Sequence, residues 1–178
     1  MIRAFFAGIA AALLLVGIVA GVGYWWNTGG SHDYPEARSY AVSEDAMADV
    51  DAALARAVEN DKRVLLVMGA NWCHDSRALA GWLETERFSK MIEERYELVF
   101  VNVGTPQSEG DGHNLGIAHR FGVEELPGTP NVLVLTAEGE LVNGDTATTW
   151  RNAASREEDA IYDELEALAE REPSDEAI

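Results

Sequence analysis

The chain has one cysteine, Cys73, in the stretch Asn71-Trp72-Cys73-His74-Asp75-Ser76. A thiolate is the strongest nucleophile among these side chains, and it can bond reversibly to another sulfur. An apolar run, Val64 to Met68, precedes the stretch, and a helical pattern from Ser76 through Leu79 follows it. A cysteine at such a strand-to-helix corner meets free backbone N–H groups and the positive end of the helix dipole, both of which favour an anion. The competing reading is a small buried core residue. Trp72 before the cysteine and polar His74-Asp75-Ser76 after it read instead as a loop. A protonated His74 would favour the thiolate and Asp75 would oppose it; alternatively His74 is an exposed helix-start residue. Ser76 either donates a hydrogen bond to the thiolate or occupies the first helical turn.

A second stretch, Gly128-Thr129-Pro130-Asn131, leads into the strand-like run Val132 to Leu135. With the Trp72-Cys73 corner it resembles the thioredoxin superfamily, whose active-site motif is Trp-Cys-x-x-Cys after a central strand. Here Ser76 replaces the second cysteine. The resemblance covers roughly positions 40 to 171. It implies that Pro130 is a cis-proline packed beside Cys73, with Thr129 preceding it in the substrate-binding position. It also implies monothiol chemistry: a hydroxyl cannot form a disulfide, so a mixed disulfide on Cys73 waits for a second molecule. Oxidation to a sulfenic acid is open to the same thiol. The implied catalytic set is Cys73, Ser76, Trp72 and His74, and the implied partners are client protein thiols or disulfides and a small thiol such as glutathione.

These residues need elements to hold them. Ser43-Glu44-Asp45 reads as an N-cap for a helix over 44–59, with Met47, Val50, Leu54 and Val58 at helical spacing. Arg63 to Met68 is a strand covered on both faces. Helices follow from Cys73 to about Glu86 and from Phe88 to Tyr96, and then the strand Leu98 to Val103. Gly104 to His113 is a loop, and Asn114 caps a short helix from Leu115 to Phe121. Val132 to Leu135 and Leu141-Val142 flank a hairpin turn at 137–140. Trp150 covers the sheet edge, and Ser155 to Glu158 resembles a capping box for a last helix carrying Ile161, Leu165 and Leu168. A short extra strand over Ser39 to Val42 is weakly signalled. The order predicts a three-layer α/β/α sandwich with a mixed central sheet, the first two strands parallel by a right-handed crossover.

Ahead of this domain an uncharged run from Ala4 to Trp26 is long enough to span a bilayer, which takes roughly 20 residues. Arg3 precedes it and Tyr24-Trp25-Trp26 close it, so the expected topology is N-terminus inside. The alternative is a signal segment cleaved after the weak site Val19-Ala20-Gly21. The expected organisation is an anchor or signal over 1–27, a flexible tether over 28–39, the thioredoxin-like domain over 40–172 and a tail over 173–178. The soluble part then faces the periplasm or another extracytoplasmic space.

The formal net charge of −18 removes the cationic surface that nucleic acid requires. A single cysteine excludes an intramolecular disulfide and any multi-cysteine metal site. Cys73, His74, His113 and His119 are the residues a zinc or copper site would draw on. The six-residue spacing of His113 and His119 matches no ligand rhythm, so the expectation is no metal and no cofactor. The reading that follows is a membrane-tethered monothiol exchanger. A fold-bearing binding module without catalysis is the main alternative; metal-binding and peroxide-reactive proteins are the others.

Overall fold

The computed structural model describes residues 34–108 and 110–173. The expected membrane segment over 4–26 and residues 174–178 of the expected tail over 173–178 lie outside them. Among the described residues no helix is long and apolar enough to cross a membrane.

The centre is β1 (Arg63–Gly69). It pairs in parallel with β2 (Tyr96–Asn102) and antiparallel with β3 (Asn131–Leu135), so the sheet order is β2-β1-β3. Leu66 stands opposite Val99 on one side and Leu133 on the other. Alternation along β1 builds two separate cores. Leu65 and Val67 face a layer with Leu79, Phe88, Ile161 and Leu165. Val64, Leu66 and Met68 face the opposite layer, with Val50, Ala53, Ala57 and Ile117.

The first layer is made by α2 (His74–Leu83), α3 (Glu86–Arg95) and α5 (Glu158–Glu170). The second is made by α1 (Ala46–Asn60) and α4 (Leu115–Arg120). The result is an α/β fold with a mixed three-stranded sheet between two helical layers. The α2–α3 break falls at Glu84-Thr85, where the N–H groups of both residues return to carbonyls at the end of α2. The Tyr96 hydroxyl donates to the Leu165 carbonyl at 2.5 Å and ties β2 to α5.

Within the expected cap stretch it is Asp45 that caps α1, its carboxylate accepting from Ala48 N at 2.9 Å, while Ser43 accepts from Asp45 N. Several local expectations need correction. Asn114 makes no side-chain cap: its backbone is left-handed and its amide donates to the Asn102 carbonyl at 2.7 Å. Ser155 closes a short 3-10 turn (Ala153–Ser155), and α5 starts after Glu157. Trp150 is wholly buried in the first core layer.

Two expected strands are absent among the described residues, for one reason. Leu141 makes a single bridge to Leu135, and Val142 N donates to Val134 O. The ladder is then taken over by the Asn143 side chain, which accepts from Val134 N at 2.8 Å and donates to Val132 O at 2.9 Å. Around Ser39 to Val42 the same device recurs. Asn71 accepts from Tyr40 N at 3.3 Å and donates to Tyr40 O at 3.0 Å, and Asn102 donates to that carbonyl at 2.8 Å. Side-chain amides satisfy the backbone where a paired strand would have done so.

Residues 34–39, expected as tether, belong to the compact unit, which begins at Tyr34. Ala37 N donates to Arg77 O at 3.0 Å. A Cβ on Gly81 would meet the Pro35 carbonyl oxygen at 2.3 Å, so the glycine lets this segment lie against α2.

Asn143 is wholly buried. Asn143→Ala should strand one buried donor and one buried acceptor and cost roughly 2–4 kcal/mol. The check is urea unfolding, with a lower midpoint at unchanged slope.

Candidate active site

β1 ends at Gly69, and its continuation Ala70-Asn71-Trp72 turns the chain into α2. Cys73 is the residue just before that helix, in extended backbone. Its N–H donates to Ala70 O at 3.1 Å and its carbonyl accepts from Arg77 N at 3.1 Å. The free thiol is half-buried and donates to the Thr129 carbonyl at 3.4 Å. The Thr129–Pro130 peptide is cis. Cys73 and Thr129-Pro130, distant in sequence, therefore meet at the end of the sheet where β1 leaves and β3 enters.

Trp72 is half-exposed, and its indole N–H donates to Gly104 O at 2.7 Å. It divides two grooves. One, of about 390 Å³, runs past Val103, Pro106, Leu115, Leu126 and Thr129. The other, of about 520 Å³, runs past Asn71, Asn102, Ser108 and Asn114.

Ser76 is wholly buried one helical turn below Cys73. Its hydroxyl accepts from Ala70 N at 3.3 Å, and its carbonyl accepts from the Tyr40 hydroxyl at 3.2 Å. Of the two readings of Ser76, occupancy of the first helical turn is the one the structure has. His74 is exposed, with Nε2 at 3.1 Å from Asp75 Oδ2. Its ring is engaged by a carboxylate. His113 Nδ1 lies 2.9 Å from Val103 O and His119 Nε2 lies 2.9 Å from Glu124 O, each nitrogen on a backbone carbonyl. Among the described residues no cluster of three or more metal-ligating side chains is gathered.

Three residues outside the expected set shape the site. Asp75 is buried, and its Oδ1 accepts from Ala154 N at 2.9 Å, tying the start of α2 to the segment after Trp150. Asn71 holds the Tyr40 backbone, and the Tyr40 ring lies under α2. A Cβ on Gly69 would meet that ring at 2.6 Å and the Ser76 hydroxyl at 2.8 Å. Burial pushes the Tyr40 phenol well above the ordinary tyrosine range, and the neighbouring Cys73 charge adds to the rise. A tyrosine distant in sequence carries no signal of this role. Asp75 could have been found only by knowing which residue its first-turn position faces.

The family model described as thioredoxin-like matches residues 45–137. Among solved structures, a disulphide isomerase from Xylella fastidiosa Temecula1 is similar at 30% identity, covering 75% of this chain and all of that one, with a TM-score of 0.64. No curated protein matches the chain.

The raised Tyr40 pKa fixes a sign. The folded state keeps the phenolic proton above pH ~10, where the unfolded chain loses it. Stability from this group is complete below pH ~10 and falls as pH rises, by up to about 1.4 kcal/mol per pH unit. Tyr40→Phe should remove that share of the alkaline loss. Urea midpoints of native and variant protein across the alkaline range read it.

Proposed function

The chain belongs to the thioredoxin-like family, and from that premise we propose that it carries out thiol–disulfide exchange through Cys73 as a monothiol. Family membership and the disulphide isomerase of Xylella fastidiosa both support oxidoreductase-type function. The carrying observation is the half-buried thiol at the start of α2, 3.4 Å from the Thr129 carbonyl beside Pro130. In attack, the Cys73 thiolate forms a bond to one sulfur of a partner disulfide. The partner's own S–S bond breaks, and its other sulfur leaves as a thiolate. Among the described residues there is no second thiol, so the mixed disulfide persists until an external thiol attacks it. Client protein thiols or disulfides and a small thiol such as glutathione are the reactants this scheme needs. Trp72 and Thr129-Pro130 flank the sulfur as the client-facing surface.

The experiment compares native protein, Cys73→Ala and Ser76→Cys in reduction of a model protein disulfide with an external dithiol. Before the dithiol is added, native protein should accumulate a mixed adduct that Cys73→Ala never forms. Ser76→Cys supplies a thiol one turn from Cys73 and should turn over faster than native, because the adduct can resolve internally. A Ser76→Cys variant that closes its disulfide yet works no faster than Cys73→Ala identifies a binding module that shares the fold without catalysis.

The same proposal places the domain outside the cytoplasm, held by residues 4–26 as a single-pass anchor. The uncharged run and its interfacial aromatics support this. Full-length protein should sediment with membranes and resist alkaline carbonate extraction. A soluble mature protein beginning near Val22 or Tyr24 would mark the segment as a cleaved signal.

A further inference from the structure

Among the described residues the cationic side chains are mostly held by carboxylates: Arg77 by Glu36, Arg87 by Glu158 and Asp159, Arg156 by Glu164. Arg151, like Arg38 and Lys90, is exposed and has neither an ion pair nor a hydrogen bond among the described residues. Its place is built rather than incidental. Trp150 and Ala153 on either side are wholly buried, and Asp75 grips Ala154 N at 2.9 Å. Its aliphatic stem lies on Gly128: a Cβ there would meet Arg151 Cδ at 2.6 Å and Nε at 3.9 Å. Gly128 adjoins Thr129, whose carbonyl faces the Cys73 sulfur at 3.4 Å. The contacts close a ring from Cys73 through Asp75, Ala154, Arg151, Gly128 and Thr129 back to Cys73. Summing bond and Cα steps along the Gly128-Thr129 side of it puts the Arg151 Nε no more than about 15 Å from the sulfur.

We propose that Arg151 selects carboxylate-bearing partners for Cys73, pairing with a carboxylate within two or three residues of the partner's reacting sulfur. That spacing is roughly 7–10 Å along an extended peptide, inside the bound of about 15 Å on the separation of Arg151 from the sulfur. A guanidinium takes a carboxylate through a planar fork of donors. The chain's charge of −18 repels anions at a distance, so a local cation at the site edge decides which anionic partners dock. This rests on the exchange function proposed above. The step is the same: the Cys73 thiolate bonds to the partner sulfur, the partner disulfide breaks, and the second sulfur leaves as a thiolate.

The test measures rates of mixed-disulfide formation with oxidised glutathione, which carries carboxylates, and with cationic cystamine. Two further arms use peptide disulfides with Asp or Asn beside the cysteine, separating a client carboxylate from that of a small thiol. Arg151→Ala should slow the carboxylate partners about three- to fivefold at low salt and leave cystamine unslowed. Arg151→Glu should widen the contrast, Arg151→Lys should restore most of it, and molar salt should erase it. Gly128→Ala, which displaces the arginine stem, should reproduce part of the Arg151→Ala loss. If glutathione alone responds, the carboxylate belongs to a small thiol; if the Asp peptide also responds, clients carry it. An unchanged glutathione-to-cystamine ratio in Arg151→Ala overturns the proposal while leaving exchange intact. A native chain no faster than Cys73→Ala with every disulfide overturns the exchange reading itself, and this proposal with it.

Discussion

β1 is paired on both edges and covered on both faces, and the rest of the molecule answers to that constraint. Its residues from Val64 to Met68 have no exposed surface. Every peptide group there must therefore find its partner within the protein. β2 and β3 supply them, and α1 and α2 close the two faces. Where β1 stops, its pairing stops too, and the chain has to leave the sheet through a polar corner. Asn71, Trp72 and Cys73 are that corner. The thiol reaches solvent because the strand before it cannot.

Much of this arrangement was legible because it is periodic. The unbroken apolar run of β1 predicts a two-faced strand, and the spacing of Ile161, Leu165 and Leu168 predicts the buried stripe of α5. Their pairing at one site came from the motifs around Cys73 and Thr129-Pro130. What periodicity could not show is the use of side-chain amides in place of main-chain partners. Asn71, Asn102 and Asn143 each complete a backbone ladder, and an asparagine in a sequence reads first as a turn residue. The expected fourth strand and the expected strand near Tyr40 were lost for that reason. The tether reading of 34–39 failed on Gly81, because nothing in a helical pattern announces that another backbone lies against a missing side chain.

Ser76 shows how a change of chemistry can leave the architecture intact. Its hydroxyl is buried and accepts from Ala70 N, a donor that the end of β1 would otherwise leave unmatched. The side chain is thus structural at a position where the family motif has a second thiol. Sulfur is a poorer acceptor than a hydroxyl oxygen. Serine therefore fits the local hydrogen-bond demand at least as well as cysteine, while removing the internal route for resolving a mixed disulfide.

Asp75 completes the logic by acting away from the sulfur. A buried carboxylate is costly unless its oxygens are matched. One oxygen takes Ala154 N and the other faces His74. The first bond fastens α2 to the segment after Trp150, and Trp150 is itself clamped beneath Arg156 at 4.4 Å. The cysteine's helix and the strand-entry corner at Thr129 are in this way held by separate parts of the chain that share one anchoring point. A site built like this keeps its sulfur and its carbonyl in register through packing and hydrogen bonds.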